Sequence, residues 1–196
     1  MYYIGIDIGS VGCKGVLFKE QIIDKKLLPT GWNPQESGEE TLDYLLDANN
    51  LKPKDIKGVV ATGYGRVSQK FADKTVTEIT CHGKGGYYLN NNIRTIIDIG
   101  GQDSKVISLN ESGEVVDFVM NDKCAAGTGK FLEMTINSLE EQIDNLDNLI
   151  KNDKKANISS MCAVFAESEI ISLLADGVSK SEIAGGIIES IINRIN

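Results

Sequence analysis

Two segments carry the residue types that phosphate chemistry needs: Asp7-Ile8-Gly9-Ser10-Val11-Gly12-Cys13-Lys14 and Asp98-Ile99-Gly100-Gly101-Gln102-Asp103-Ser104-Lys105. They align without a gap, and Asp, Ile, Gly and Lys coincide. A strand ending in Asp-x-Gly sets a carboxylate beside a turn whose unhindered amides can close on phosphate oxygens, the backbone device for holding anions. Gly9, Ser10, Gly100 and Gly101 form those turns, and Asp7 and Asp98 are the carboxylates to hold Mg2+, usually through water. Lys14 and Lys105, one strand further on, are placed to bring point charges to the phosphates. One Asp-x-Gly is a common strand-to-turn sequence, but two copies in register point to a phosphate-binding unit used twice.

Two other segments imitate nucleotide signatures and fail on their residues. Cys124-Ala-Ala-Gly-Thr-Gly-Lys130 has cysteine at the first glycine position of a P-loop, and Phe131 where Ser or Thr must follow the lysine. Gly63-Tyr-Gly-Arg-Val-Ser68 lacks the third glycine of a dinucleotide fingerprint.

The cysteines offer a second chemistry. Cys124 and Cys162 each precede a segment expected to be helical, where unpaired amides and the helix dipole favour a thiolate or an anionic cluster. Lys123-Cys124-Ala-Ala-Gly127 and Ser160-Met-Cys162-Ala163 surround both sulfurs with small residues. Neither lies in a Cys-x-x-Cys pair, so an intrachain zinc site has no support from spacing. The residues leave two readings open, a pair of buried thiols or a pair of cluster ligands. Two ligands per chain cannot complete a four-cysteine cluster, whereas a two-fold dimer contributes four, which fits a bridging 4Fe-4S cluster. Cys13, in the first phosphate turn, and Cys81, at the end of an expected strand Thr75 to Thr80, are taken as packing residues. His82, the single histidine, is taken as structural.

The elements that must position these residues read as one plan repeated. Each Asp-Ile-Gly turn follows a short apolar run and precedes a strand, a turn and a second strand; the second hairpin runs Val106 to Leu109, Asn110 to Gly113, then Val115 to Met120. Two similar α/β halves follow, residues 1–91 and 92–196, with a seam near Leu89-Asn-Asn-Asn92 and a cleft between them as the natural ligand site. Ser37-Gly-Glu-Glu40 reads as a capping box opening a helix with Leu42, Leu45 and Leu46 on one face. Lys57 to Ala61 reads as a strand entering the glycine turn Thr62 to Arg66. Further helices are expected over Lys130 to Ile143 and Ala163 to Ala175, the latter stopped by Asp176-Gly177. A last helix opens at the capping box Ser179-Lys-Ser-Glu182 and carries a core stripe of Ile183, Ile187, Ile188, Ile191 and Ile195. Gly185-Gly186 allows close packing there, and the polar stretch Asp144 to Asn157 is expected to be an exposed linker or frayed helix end.

Bulk properties set outer bounds. At 196 residues and 41% hydrophobic content the chain can bury a substantial core. Acidic residues outnumber basic ones 28 to 20, and a formal charge of −8 argues against a nucleic-acid partner. There is no apolar run of membrane-spanning length and no leader-like N-terminus, so the expected setting is cytoplasmic, with no membrane partner.

Together these segments resemble the ATP-dependent activators of 2-hydroxyacyl-CoA dehydratases, a family that includes the ATPase subunits of benzoyl-CoA reductase. Gly5-Ile-Asp-Ile-Gly-Ser10 with Lys14, Ala61-Thr-Gly-Tyr-Gly-Arg66, Glu78-Ile-Thr-Cys-His-Gly-Lys-Gly85 and Asp98 to Lys105 carry the resemblance. Asn121-Asp-Lys-Cys-Ala-Ala-Gly-Thr-Gly-Lys-Phe-Leu132 and Met161-Cys-Ala-Val-Phe-Ala-Glu-Ser-Glu169 complete it, so that it spans nearly the whole chain. The resemblance implies an α/β, actin-like (ribonuclease H-like, ASKHA) ATPase fold with duplicated halves and a homodimer. It implies one 4Fe-4S cluster per dimer, held by Cys124 and Cys162 of each chain, with ATP or ADP and Mg2+ at the turns. Helices following the two cysteines are then expected to change angle with nucleotide state, passing one electron from ferredoxin or flavodoxin to a 2-hydroxyacyl-CoA dehydratase or related reductase. Gln102 and Asp103 are assigned to the γ-phosphate and attacking water, Asp7 and Asp98 to Mg2+. Members of the family continue past the third helix with a glycine-rich segment that contacts the nucleoside, so part of the adenosine pocket is expected outside these residues. Two other classes remain beside this one: a small-molecule kinase of the same fold, and a regulatory nucleotide-binding module whose cysteines only pack.

Overall fold

Alternating Ile4, Ile6 and Ile8 give β1 (Tyr2–Ile8) one wholly buried face, and the same period continues through Cys13 and Leu17 on β2 (Gly12–Phe18). The computed structural model describes residues 1–151, 154–159 and 162–195, with side chains to residue 193 of the last helix. Asn152, Asp153, Ser160, Met161 and Asn196 lie outside the described residues; they include part of the polar stretch 144–157 and the two residues before Cys162. The side chain of Ile195, the last of the expected stripe, lies outside them too.

β3 (Ile22–Pro29) pairs antiparallel with β2, and β4 (Ile56–Thr62) pairs parallel with β1 on its other side. With β5 (Lys74–Thr75) they form a five-stranded sheet of order β3-β2-β1-β4-β5. The helix α1 (Pro34–Ala48) buries Thr41 and Leu45 against its inner face. It begins a turn earlier than the capping box at Ser37 indicates. Asn33 caps it by accepting the amides of Gln35 and Glu36 at 3.2 and 3.4 Å, and Pro34 takes the first helical position. Ser37 therefore lies inside the helix, its hydroxyl bonded back to the Pro34 carbonyl.

The expected strand Thr75 to Thr80 is a second correction. Only Lys74 and Thr75 pair; Thr77 then caps α2 (Glu78–Leu89), so Cys81 and His82 are helical. The alternating β-branched residues carried the strand reading, but the cap and the seating of Gly83 against Val115 and Leu109 decide for helix.

β6 (Thr95–Ile99), β7 (Ser104–Leu109) and β8 (Val115–Asn121) form a three-stranded sheet in that order, with the expected turn at Asn110 to Gly113 between the last two. The chain divides into two compact units, Met1–Ile96 with Ile107–Phe118, and Ile97–Val106 with the residues from Val119 onward. The second is helical: α3 (Gly129–Asn137), α4 (Leu146–Leu149), α5 (Ala163–Ala175) and α6 (Lys180–Ile195) enclose Phe131, Ile136, Ile170, Ile183 and Ile187, all fully buried.

α3 is shorter than the expected Lys130 to Ile143 because Glu140 adopts φ 56°, the left-handed region, without a glycine to announce it. The Glu141 amide reaches the Ile136 carbonyl and the Glu140 amide that of Asn137, a Schellman closure that turns Leu139 into the core. α6 starts where expected: the Ser179 hydroxyl accepts the Glu182 amide, and the Glu182 carboxylate accepts the Ser179 amide. The Lys154 ammonium, then Ser179, hold that carboxyl below the usual glutamate range. At Gly186 a side chain would collide with the Ala156 carbonyl oxygen, so the close approach anticipated for the glycine pair is used by the segment before α5.

Candidate functional site

The seven-residue spacing from Asp to Lys is a hairpin register. Asp7 on β1 lies directly opposite Lys14 on β2, and their side chains pair at 3.1 Å. The turn between them closes with the Gly9 amide on the Gly12 carbonyl at 3.1 Å. The second copy repeats both features: the Gly100 amide meets the Asp103 carbonyl at 2.8 Å, and Lys105 pairs with Asp98 at 3.3 Å. The alignment read from the sequence is thus a repeat of backbone geometry as well as of residue type. Ser10 and Gln102 lie exposed on their turns.

The lysines differ, however. The Lys14 side chain is 52% exposed, so its pair with Asp7 is open to solvent, whereas that of Lys105 is 2% exposed and also holds Asp103 at 2.7 Å. A buried ammonium must be paired, and here two carboxylates share it.

Several residues that brace the first turn escape a linear reading. Thr30, the residue just after β3, is buried; its hydroxyl donates to the Gly9 carbonyl at 2.7 Å and its amide to the Val11 carbonyl at 2.9 Å. Thr62 is the register partner of Asp7, and its buried hydroxyl has no hydrogen-bond partner among the described residues. Gly63 follows with φ 81° and ψ −178°, a region open essentially to glycine alone, and any side chain there would overlap the Asp7 carboxylate and the Ile8 carbonyl. Gly63→Ala is therefore expected to cost about 1–3 kcal/mol of stability and, if Asp7 serves Mg2+ as the sequence leads one to expect, to weaken binding of Mg2+ with ATP by displacing it. Thermal melts with and without that ligand check it: a variant with unchanged melting temperature and an unchanged ligand shift would contradict this account of the turn.

The second turn is braced by a helix instead. The amides of Gly129 and Lys130, which open α3, donate to the carbonyls of Gly100 and Gly101 at 2.9 Å each. Helix amides that would otherwise lack partners are thereby spent on the turn. Cys124 does not stand at that helix start; it lies five residues earlier in the loop between β8 and α3, and is exposed. Asn121 holds this loop with three hydrogen bonds, its amide group donating to the Cys124 and Ala126 carbonyls at 3.0 and 3.3 Å and its oxygen accepting the Cys124 amide at 3.3 Å. Thr128, fully buried, closes the loop onto the Ala125 carbonyl at 2.6 Å. An asparagine three residues before a cysteine is a turn signal that would have marked this brace.

Cys162 is the N-cap residue of α5, exposed, and its side chain makes no capping bond. The two cysteines thus have unlike settings, one on a braced loop and one at a helix terminus. Neither is a buried thiol. Cys13 is, at 0% exposure; burial pushes its thiol above the usual range, and Thr41 donates to its sulfur at 3.2 Å. Among the described residues, no three or more His, Cys, Asp or Glu side chains gather as a metal site. The donor chemistry of two exposed thiols nonetheless fits an iron–sulfur group completed from outside the chain. Two carboxylates facing glycine turns fit a magnesium-bound phosphate.

A family model described as the BadF/BadG/BcrA/BcrD ATPase family matches residues 4–196. The activator of lactoyl-CoA dehydratase from Anaerotignum propionicum is 45% identical over 197 residues, covering 99% of this chain and 76% of that protein. The (R)-2-hydroxyglutaryl-CoA dehydratase activating ATPase of Acidaminococcus fermentans is 42% identical over 199 residues, covering 100% and 76%. Among solved structures, the activator of the 2-hydroxyisocaproyl-CoA dehydratase from Clostridium difficile with bound ADPNP superposes with a TM-score of 0.93 at 41% identity, covering 100% of this chain and 74% of that one. No helix among the described residues is long and apolar enough to cross a membrane.

Proposed function

This chain belongs to the BadF/BadG/BcrA/BcrD ATPase family, and from that membership we propose that it couples ATP binding and hydrolysis to low-potential one-electron transfer, activating a 2-hydroxyacyl-CoA dehydratase or related reductase. Its fold is the actin-like α/β fold, with the β-turn-β unit present twice. We assign residues 1–91 and 92–196 to the two ATPase halves.

In this reading Gly9, Ser10, Gly100 and Gly101 present turn amides to phosphate, Lys14 adds a mobile positive charge, and Asp7 and Asp98 orient Mg2+. Gln102, exposed on the second turn, and Asp103 beside it orient the attacking water. Cys124 and Cys162 from each of two copies hold a 4Fe-4S cluster, which when bound supplies a one-electron carrier. Exposed Val164 and Phe165, in the first turn of α5 beside Cys162, form an apolar surface that a second copy would cover. Ferredoxin or flavodoxin is the electron donor, and the setting is cytoplasmic, where free thiols persist.

The observation that carries the coupling is the hydrogen-bonded chain from the second turn to Cys124. A change at Gly100 or Gly101 acts on the Gly129 and Lys130 amides, through them on Thr128, and through its bond to Ala125 on the loop that Asn121 braces. Apart from the Asn121 brace, the links are backbone groups and the Thr128 hydroxyl, a short path from the second turn to the cysteine loop.

Anaerobic reconstitution with iron and sulfide tests the reading. The expected product binds four irons per dimer, with charge-transfer absorbance that bleaches on one-electron reduction. A chain that binds ATP but takes up no iron under these conditions would sink the electron-transfer reading and leave a nucleotide-binding module.

A further inference from the structure

We infer that Lys105 is a positioning residue for Asp98 and Asp103 rather than a phosphate ligand, so that the two Asp-x-Gly turns, alike in sequence, divide the work. The first contributes a lysine that can reach an anion; the second spends its lysine on its own carboxylates. This inference rests on reading the second turn as a site for Mg2+ and phosphate, and is independent of the cluster.

Three observations carry it. The Lys105 ammonium lies 2.7 Å from Asp103 and 3.3 Å from Asp98, so it bridges the two acidic residues of the turn. Its side chain is 2% exposed, against 52% for Lys14 in the corresponding position, so Lys105 has no room to swing toward a ligand while Lys14 does. The turn backbone beneath is already held by the Gly129 and Lys130 amides, leaving the carboxylate side chains as the part still to be fixed.

The physical consequence follows from charge. Two carboxylates close enough to share one ammonium repel each other, and in a partly buried site that repulsion is weakly screened. The ammonium removes it and sets each carboxylate's orientation. If Lys105 left to meet a phosphate, the 2.7 Å and 3.3 Å pairings that hold Asp103 and Asp98 would be lost at a site proposed to accept a hydrated divalent cation. Held in place, the ammonium offsets part of the negative charge of the two carboxylates while leaving both oriented in the turn. Residues that orient metal-facing groups in this way typically change metal affinity 10–100-fold when removed.

The test separates metal-dependent from metal-independent nucleotide affinity. ADPNP is titrated into the wild type, Lys105→Met and Lys14→Met, with Mg2+ and with chelator, and Mn2+ replaces Mg2+ for electron paramagnetic resonance. Lys105→Met is expected to lose about tenfold or more of the enhancement that Mg2+ confers, to change the Mn2+ spectrum of the ternary complex, and to alter chelator-state affinity by less than about threefold. Lys14→Met should do the reverse, weakening the chelator state with the metal enhancement largely kept. Equal loss of chelator-state affinity in both variants would overturn the inference, as would an unchanged metal enhancement in Lys105→Met. Should Lys105→Met not fold, Lys105→Gln serves, since it keeps a donor to the carboxylates and loses the charge: a selective loss of metal enhancement supports the inference, while a loss of chelator-state affinity equal to that in Lys14→Met, or an unchanged metal enhancement, overturns it. Failure of the wild type to bind ADPNP in either condition would instead bring down the nucleotide reading itself, and this inference with it.

Discussion

Replacing either Cys124 or Cys162 by alanine is expected to reduce iron bound after anaerobic reconstitution to under about a tenth of wild type, because on the proposed reading a four-cysteine site shared by two copies loses two of its ligands at once. Both sulfurs are exposed, so neither change removes core packing, and stability should shift by no more than about 0.5 kcal/mol. Cys13→Ala supplies the opposite result. That thiol is fully buried beside Thr41, so its loss should cost about 1 kcal/mol or more while iron content stays at the wild-type level. Iron and sulfide assays with a thermal melt on each variant distinguish the two patterns. Full iron retention in Cys124→Ala would remove that residue from the cluster assignment.

Asp98→Asn is expected to weaken binding of Mg2+ with ATP by about 10–100-fold and to lower hydrolysis at least as much. Asparagine keeps the shape and one acceptor oxygen but loses the charge proposed to face Mg2+. Lys105 retains Asp103 at 2.7 Å, so the change does not strand a buried ammonium, and the loss can be read as function rather than unfolding. Asp117→Asn is the comparison: this carboxylate is exposed on β8, bonded to the Phe118 amide, and its removal should leave affinity within about twofold. Calorimetric titration in Mg2+ settles the point, and wild-type affinity in Asp98→Asn would exclude Asp98 from the site.

Much of the fold was legible because the signals were local. The α5 boundaries and the capping box of α6 depend on residues within a turn of one another, and both were read correctly. Where local signals competed, the structure decided. Asn33-Pro34 outranked Ser37 as a helix start, and the Thr77 cap outranked the β-branched alternation around Cys81. The end of α3 carried no readable sign, because its left-handed residue is glutamate rather than glycine.

The sequence by itself determined the repeated turn, since Asp and Lys seven residues apart across a tight hairpin must face each other whatever surrounds them. Identical spacing could not distinguish Lys14 from Lys105. The second carboxylate, Asp103, is in the sequence where the first turn has Gly12, but whether a lysine reaches solvent, as Lys14 does at 52% exposure, or is sealed, as Lys105 is at 2%, is decided only in the tertiary structure. The same holds for the link to Cys124. A helix start meeting a turn some thirty residues earlier leaves no trace in local propensity, and it is this contact that joins the second Asp-x-Gly turn to the segment carrying the cysteine loop.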